Sequence, residues 1–103
     1  MNFRVVLTDR AKKDLSEISN PVIRERIAQR INVLKTRPEV GNPLRGKLAG
    51  YRSLRAARNR YRIIYRIVND KVLVIIITIG LRKGDDFGDV YKSLKRLIGK
   101  RKK

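Results

Sequence analysis

Histidine, cysteine and tryptophan are missing from this 103-residue chain. Without cysteine there is no disulfide and no thiolate metal ligand. Without histidine the chain lacks the usual proton carrier at neutral pH and the commonest metal ligand. Any catalysis must run on Arg, Lys, Tyr, Ser, Thr, Asp or Glu. Long apolar runs are missing too. The longest, Val72 to Ile79, falls far short of the roughly 18 residues of a spanning helix, so no membrane partner is expected. No apolar h-region follows the start, so no secretion signal is expected and the cytoplasm is the expected compartment. Acidic residues are scarce: 9 Asp+Glu stand against 27 Lys+Arg, a formal charge of +18. The one carboxylate cluster, Asp85, Asp86 and Asp89, has the spacing of no calcium loop. No metal and no cofactor are expected.

What is present is positive charge, unevenly spread. From Val40 to Asn69 there is no acidic side chain, while Arg45, Lys47, Arg52, Arg55, Arg58, Arg60, Arg62 and Arg66 all fall there. A single-sign field repels itself and costs folding stability unless a polyanion binds. Arginine dominates the block, and its planar fork suits bidentate contact with phosphate. Nucleic acid, a nucleoprotein surface or an acidic protein is therefore the expected partner.

A hydrophobic content of 42% supports a folded core, and the length fits one domain, 1–103, with a basic tail from about 99. Phe3 to Leu7 reads as a strand. Thr8 is placed to cap a helix carrying Ala11, Leu15 and Ile18. Asn20-Pro21 starts a second helix, with Ile23, Ile27, Ile31 and Leu34 on one stripe and a stop near Thr36, before Pro38. Gly41-Asn42-Pro43 reads as a turn. Tyr51 to Ala56 is the next strand, with Arg52 and Leu54 on one side and Ser53 and Arg55 on the other. Tyr61 to Val68 alternates cleanly. A two-residue turn at Asn69-Asp70 leads into Val72 to Ile79, ended by Gly80. Asp85 to Asp89 would open a last helix bearing Val90, Leu94 and Leu97 or Ile98, capped at Gly99. The order β-α-α-β-β-β-α implies an α+β fold: a mostly antiparallel sheet, a helical hairpin on one face and the other face open.

Metal-free RNA cleavage is chemically open to such a chain. A ribose 2′-hydroxyl can attack the adjacent phosphate if its proton is taken, the phosphorane is stabilised and the 5′-oxygen is protonated. Arginine is a poor base and a good clamp. A tyrosine among cations, such as Tyr91 beside Lys92, has its phenolate stabilised. Its other reading is a half-buried residue at the start of the last helix.

Several segments in order carry a resemblance: Pro43-Leu44-Arg45-Gly46, Tyr51-Arg52-Ser53-Leu54-Arg55, Tyr61-Arg62-Ile63-Ile64-Tyr65-Arg66, Ile79-Gly80-Leu81-Arg82-Lys83 and Asp89-Val90-Tyr91. Together they resemble the RelE branch of the RelE/ParE toxin superfamily, over nearly the whole chain. The resemblance implies a toxin of a type II toxin–antitoxin pair, acting as an mRNA interferase in the ribosomal A site. It implies an acidic RelB-like antitoxin that wraps the toxin in a hetero-oligomer. It implies that Arg62 contacts the scissile phosphate, that Arg82 serves the leaving group or the phosphate, and that Tyr91 is the general base. The family's pair of strand lysines has no clean counterpart; Arg52 or Arg55 matches, depending on the register. Arg45, Lys47, Arg58, Arg60 and Lys83 would join these two in holding RNA or ribosome. Two other functions fit the same features: a ParE-like gyrase poison, and a non-catalytic RNA- or ribosome-binding protein, for which the charge alone suffices.

Overall fold

The computed structural model describes residues 2–82 and 90–101. The elements are β1 (Arg4–Leu7), α1 (Asp9–Ser16), α2 (Pro21–Val33), β2 (Asn42–Pro43), β3 (Arg52–Ala56), β4 (Tyr61–Val68), β5 (Leu73–Leu81) and α3 (Val90–Arg101). They form the expected α+β fold around one sheet, in the order β1-β5-β4-β3-β2. β1 lies parallel to β5, and the other pairs are antiparallel. No helix among the described residues is long and apolar enough to cross a membrane.

The helix starts follow local chemistry. The Thr8 hydroxyl accepts from the Ala11 N–H, and the Asn20 side chain accepts from the N–H groups of Val22 and Ile23, with Pro21 at the first helical position. Each cap satisfies donors that the first turn leaves unpaired. α1 and α2 cover one face of the sheet. Ala11, Ile27 and Leu34 pack there against Leu54, Ile63, Tyr65, Val74 and Ile76.

Several expectations need correction. The second face is not open: Val90 and Leu94 of α3 pack against Leu48, Ile64 and Ile77. α3 has an apolar stripe that must be buried, and this face is where β5 offers apolar side chains. α2 ends at Val33 rather than near Thr36, because the N–H groups of Leu34, Lys35 and Thr36 bond three residues back and tighten the chain into a turn. Asn42-Pro43 is not merely a turn but a short edge strand on β3, where proline's missing donor costs nothing. The β4–β5 connection has four residues, 69–72, because Val68 pairs with Leu73. The left-handed residue there is Val72, not Asn69 or Asp70. β5 runs through Gly80 to Leu81, and α3 runs through Gly99 to Arg101. The Asp85 to Asp89 loop lies outside the described residues.

Tyr65 ties the sheet to the segment before β2. Its buried hydroxyl donates to the Pro38 carbonyl at 2.7 Å and accepts from the Gly41 N–H at 2.9 Å. Gly41 is required here, since a Cβ would stand 2.6 Å from that hydroxyl. Burial pushes the Tyr65 phenol above the ordinary tyrosine range, against the lowering pull of the Gly41 N–H and the Arg52 and Arg30 cations.

Tyr65→Phe should leave the Gly41 N–H and Pro38 carbonyl unpaired and cost about 1–3 kcal/mol in urea unfolding. The raised phenol means that the folded state holds this proton more tightly. The contribution is therefore full below about pH 10 and is lost as pH rises above that value. The Phe variant should lack this alkaline component.

Candidate active site

One cleft, of about 230 Å³, is lined by Asn42, Leu44, Ser53, Arg55, Arg62, Arg82 and Tyr91. It opens on the face that carries α3, at the end of the sheet where β2, β3, β4 and β5 present their polar residues. Arg55 and Arg62 are cross-strand partners, and Arg62 also stands opposite Gly80. Arg82 directly follows β5, and its backbone N–H extends the ladder by donating to the Arg60 carbonyl at 2.9 Å.

Arg62 is only 5% exposed. Its Nη1 donates to the carbonyls of Asn59 and Tyr61, and among the described residues no carboxylate pairs with it. A buried cation is expensive unless an opposite charge compensates it. Among the described residues that line the cleft, the other charged groups, Arg55 and Arg82, have the same sign. The Asn59 carbonyl belongs to an uncommon turn, in which Ala57, Arg58 and Asn59 all have positive φ, and the Tyr61 carbonyl to the first residue of β4. Non-glycine residues seldom adopt that conformation. The Arg62 guanidinium fastens this turn from inside.

Tyr91 enters from the first turn of α3. Its hydroxyl lies 2.9 Å from the Ser53 hydroxyl, either of which can be the donor. α3 reaches this close because residue 80 is glycine: a Cβ there would meet the Val90 Cβ at 3.1 Å. Ser53 is buried on β3, paired with Asn42 on one side and Ile64 on the other.

The fold thus brings Arg55, Arg62, Arg82 and Tyr91 together. It does not bring Arg52 with them. Arg52 lies on the opposite face of β3, and its Nη1 donates to the carbonyls of Glu39 and Gly41. Arg45 and Lys47 are exposed, just before and within the 3-10 turn Gly46–Leu48. Arg58 and Arg60 are exposed in the β3–β4 hairpin, where they line a separate hollow with Val22, Ile23 and Arg26. Lys83 lies outside the described residues. Sequence reasoning missed Ser53 and Asn42. The alternation of β3 had already put Ser53 on the side of Arg55, but a neutral hydroxyl among arginines drew no notice. Asn42 was read as part of a turn.

Chemically, the cleft offers three guanidinium groups to an anion, with one phenol at its wall. It has the parts of a phosphate clamp with a proton acceptor beside it.

Residues 5–85 match the family model described as ParE toxin of type II toxin-antitoxin system, parDE. Toxin RelG of Mycobacterium tuberculosis is 31% identical over 93 residues, covering 89% of this chain and 99% of RelG. The mRNA interferase toxin RelE of Escherichia coli is 26% identical over 99 residues, covering 95% of this chain and 100% of RelE. A chain in the crystal structure of the toxin–antitoxin complex RelBE2 from Mycobacterium tuberculosis superimposes with a TM-score of 0.70 at 33% identity, over 80% of this chain and 93% of that one.

A single-stranded RNA probe should bind with affinity that falls steeply from low to physiological salt. Each phosphate neutralised adds about −0.7 to the slope of log K against log salt. Arg55→Ala and Arg82→Ala should each flatten that slope by about one such increment. An affinity independent of salt would contradict a phosphate-binding cleft.

Proposed function

This chain belongs to the ParE toxin family of the RelE/ParE superfamily and is a RelE-like toxin of a type II toxin–antitoxin system; from that premise we propose that it is a ribosome-dependent endoribonuclease. The substrate is mRNA and the outcome is arrest of translation. The observation that carries this reading is the buried Arg62 cation, unneutralised among the described residues, in one cleft with Arg55, Arg82 and Tyr91. A gyrase poison needs no such constellation. A plain RNA-binding surface does not need to bury its cation.

The reaction is attack by a ribose 2′-hydroxyl on its own 3′-phosphate. The 2′-oxygen bonds to phosphorus and the bond to the 5′-oxygen breaks. The products are a 2′,3′-cyclic phosphate and a 5′-hydroxyl. Tyr91 takes the 2′-hydroxyl proton. Arg62 clamps the phosphate oxygens as charge builds on the phosphorane, and its fixed position means that little reorganisation is needed. Arg82 stabilises the charge on the leaving 5′-oxygen, which takes its proton from water. Arg55 adds charge beside Arg62, although a guanidinium cannot give up its proton as an ammonium can. No cofactor enters any step.

The ribosome supplies what the cleft lacks. Among the described residues Tyr91 is the one aromatic ring lining it, so these residues offer little on which a free strand could stack. An mRNA held by the ribosome arrives already oriented, which is worth several orders of magnitude in rate. The exposed cations Arg45, Lys47, Arg58 and Arg60 would meet ribosomal RNA around the cleft. Arg52 stands apart from that set, on the opposite face of β3. The partner in the resting cell is an acidic antitoxin: the charge of +18 calls for one, and the RelBE2 structure above is a toxin–antitoxin complex. The chain works in the cytoplasm, where ribosomes are.

The test is a cell-free translation reaction with primer extension on the mRNA, run beside a gyrase supercoiling assay. Arg62→Ala and Arg82→Ala should each slow cleavage by about 10²-fold or more. Tyr91→Phe should slow it by about 10²–10⁴-fold. Lys12→Ala, on the exposed side of α1, should cut like the wild type. Intact mRNA together with trapped gyrase–DNA complexes would replace this reading with that of a gyrase poison.

A further inference from the structure

We propose that Ser53 is a positioning residue that holds the Tyr91 hydroxyl in the cleft, where Tyr91 takes the 2′-hydroxyl proton. This rests on the nuclease reading above and names a part of the site that the resemblance did not supply. Ser53 is 6% exposed, and its hydroxyl stands 2.9 Å from that of Tyr91.

The two partners are held very differently. Ser53 lies between β2 and β4, paired to Asn42 and to Ile64. Its backbone is therefore fixed from both sides. Tyr91 stands on the first turn of a helix that reaches the sheet through the Val90–Gly80 contact. A phenol on a helix terminus has two side-chain torsions to settle. A bond to a buried, strand-anchored hydroxyl settles them.

Serine suits this task for a chemical reason. A hydroxyl both donates and accepts. It accepts from Tyr91 while Tyr91 carries its proton, and donates to the phenolate when Tyr91 has given that proton up. The bond therefore survives the change of charge that a general base undergoes. A lysine at the same position could only donate. Alanine could do neither, and valine would also block the approach of the ring.

Four proteins test this: wild type, Ser53→Ala, Tyr91→Phe and the double variant. Single-turnover cleavage is measured on preassembled ribosome–mRNA complexes, together with ribosome affinity. Ser53→Ala should slow cleavage by about 10- to 100-fold, as expected for a reacting group displaced by an ångström or less, with ribosome affinity unchanged. The double variant should be no slower than Tyr91→Phe, because Ser53 acts through Tyr91. Ser53→Thr, which keeps the hydroxyl, should restore most of the rate. Wild-type cleavage by Ser53→Ala, or losses that multiply in the double variant, would overturn the proposal.

Urea-unfolding midpoints for the same four proteins separate this proposal from the nuclease reading. If the wild type leaves ribosomal mRNA intact, the nuclease reading falls. Non-additive midpoints would then still support the hold of Ser53 on Tyr91, and additive midpoints would overturn it.

Discussion

β1 runs out before β5 does. Its last residue, Leu7, stands opposite Ile76, and from Ile77 onward β5 has no strand on that side. An unpaired backbone in a packed sheet costs free energy, so something must replace the missing strand. Two side chains do so, Thr8 at the N-cap of α1 and Asp14 in its second turn. The Thr8 hydroxyl donates to the Ile77 carbonyl. Asp14 Oδ2 accepts from the Ile79 N–H at 3.0 Å and from the Thr78 hydroxyl. The Asp14 carboxylate is 9% exposed and is also paired with Arg10 at 3.0 Å. In so basic a chain this acidic residue is spent on the scaffold. It lets β5 continue to Leu81, and that length presents Gly80 to α3 and delivers Arg82 to the cleft.

The cleft inverts this logic. Where Asp14 is a buried anion paired with Arg10, Thr78 and Ile79, Arg62 is a buried cation that, among the described residues, meets two carbonyls and no carboxylate. Those carbonyls come from a hairpin with three left-handed residues, Ala57, Arg58 and Asn59. Backbone strain and a buried cation stand together at one spot, while the rest of the sheet is well satisfied. Such spots are where function concentrates. In the proposed reaction an arriving phosphate supplies negative charge, and the two carbonyls hold Arg62 in place before it arrives. The long acid-free run from Val40 to Asn69 is the same feature seen in the linear chain.

Much of this could be read from the sequence where a single residue decides local geometry. Thr8 and Asn20-Pro21 start helices because capping is local chemistry, and both do so in the fold. The alternation of β3 and β4 put Arg52 and Arg55 on opposite faces. Which face held the cleft was not legible, because that depends on where α3 docks. The docking itself turns on Gly80 and Val90, ten residues apart, and not on any local pattern. The edge strand Asn42-Pro43 exists only because β3 lies beside it. Asp14 looked like an ordinary polar residue of a surface helix, and only the early end of β1 gives it a partner. Ser53 is not legible because a buried hydroxyl gains its meaning from Tyr91, 38 residues further along the chain.

How the RNA is cut is the most direct test. The 3′ ends released from ribosome-bound mRNA should be analysed. Attack by the 2′-hydroxyl under Arg62 and Tyr91 predicts 2′,3′-cyclic phosphate termini with 5′-hydroxyl partners. Termini bearing a 3′-hydroxyl and a 5′-phosphate would contradict it.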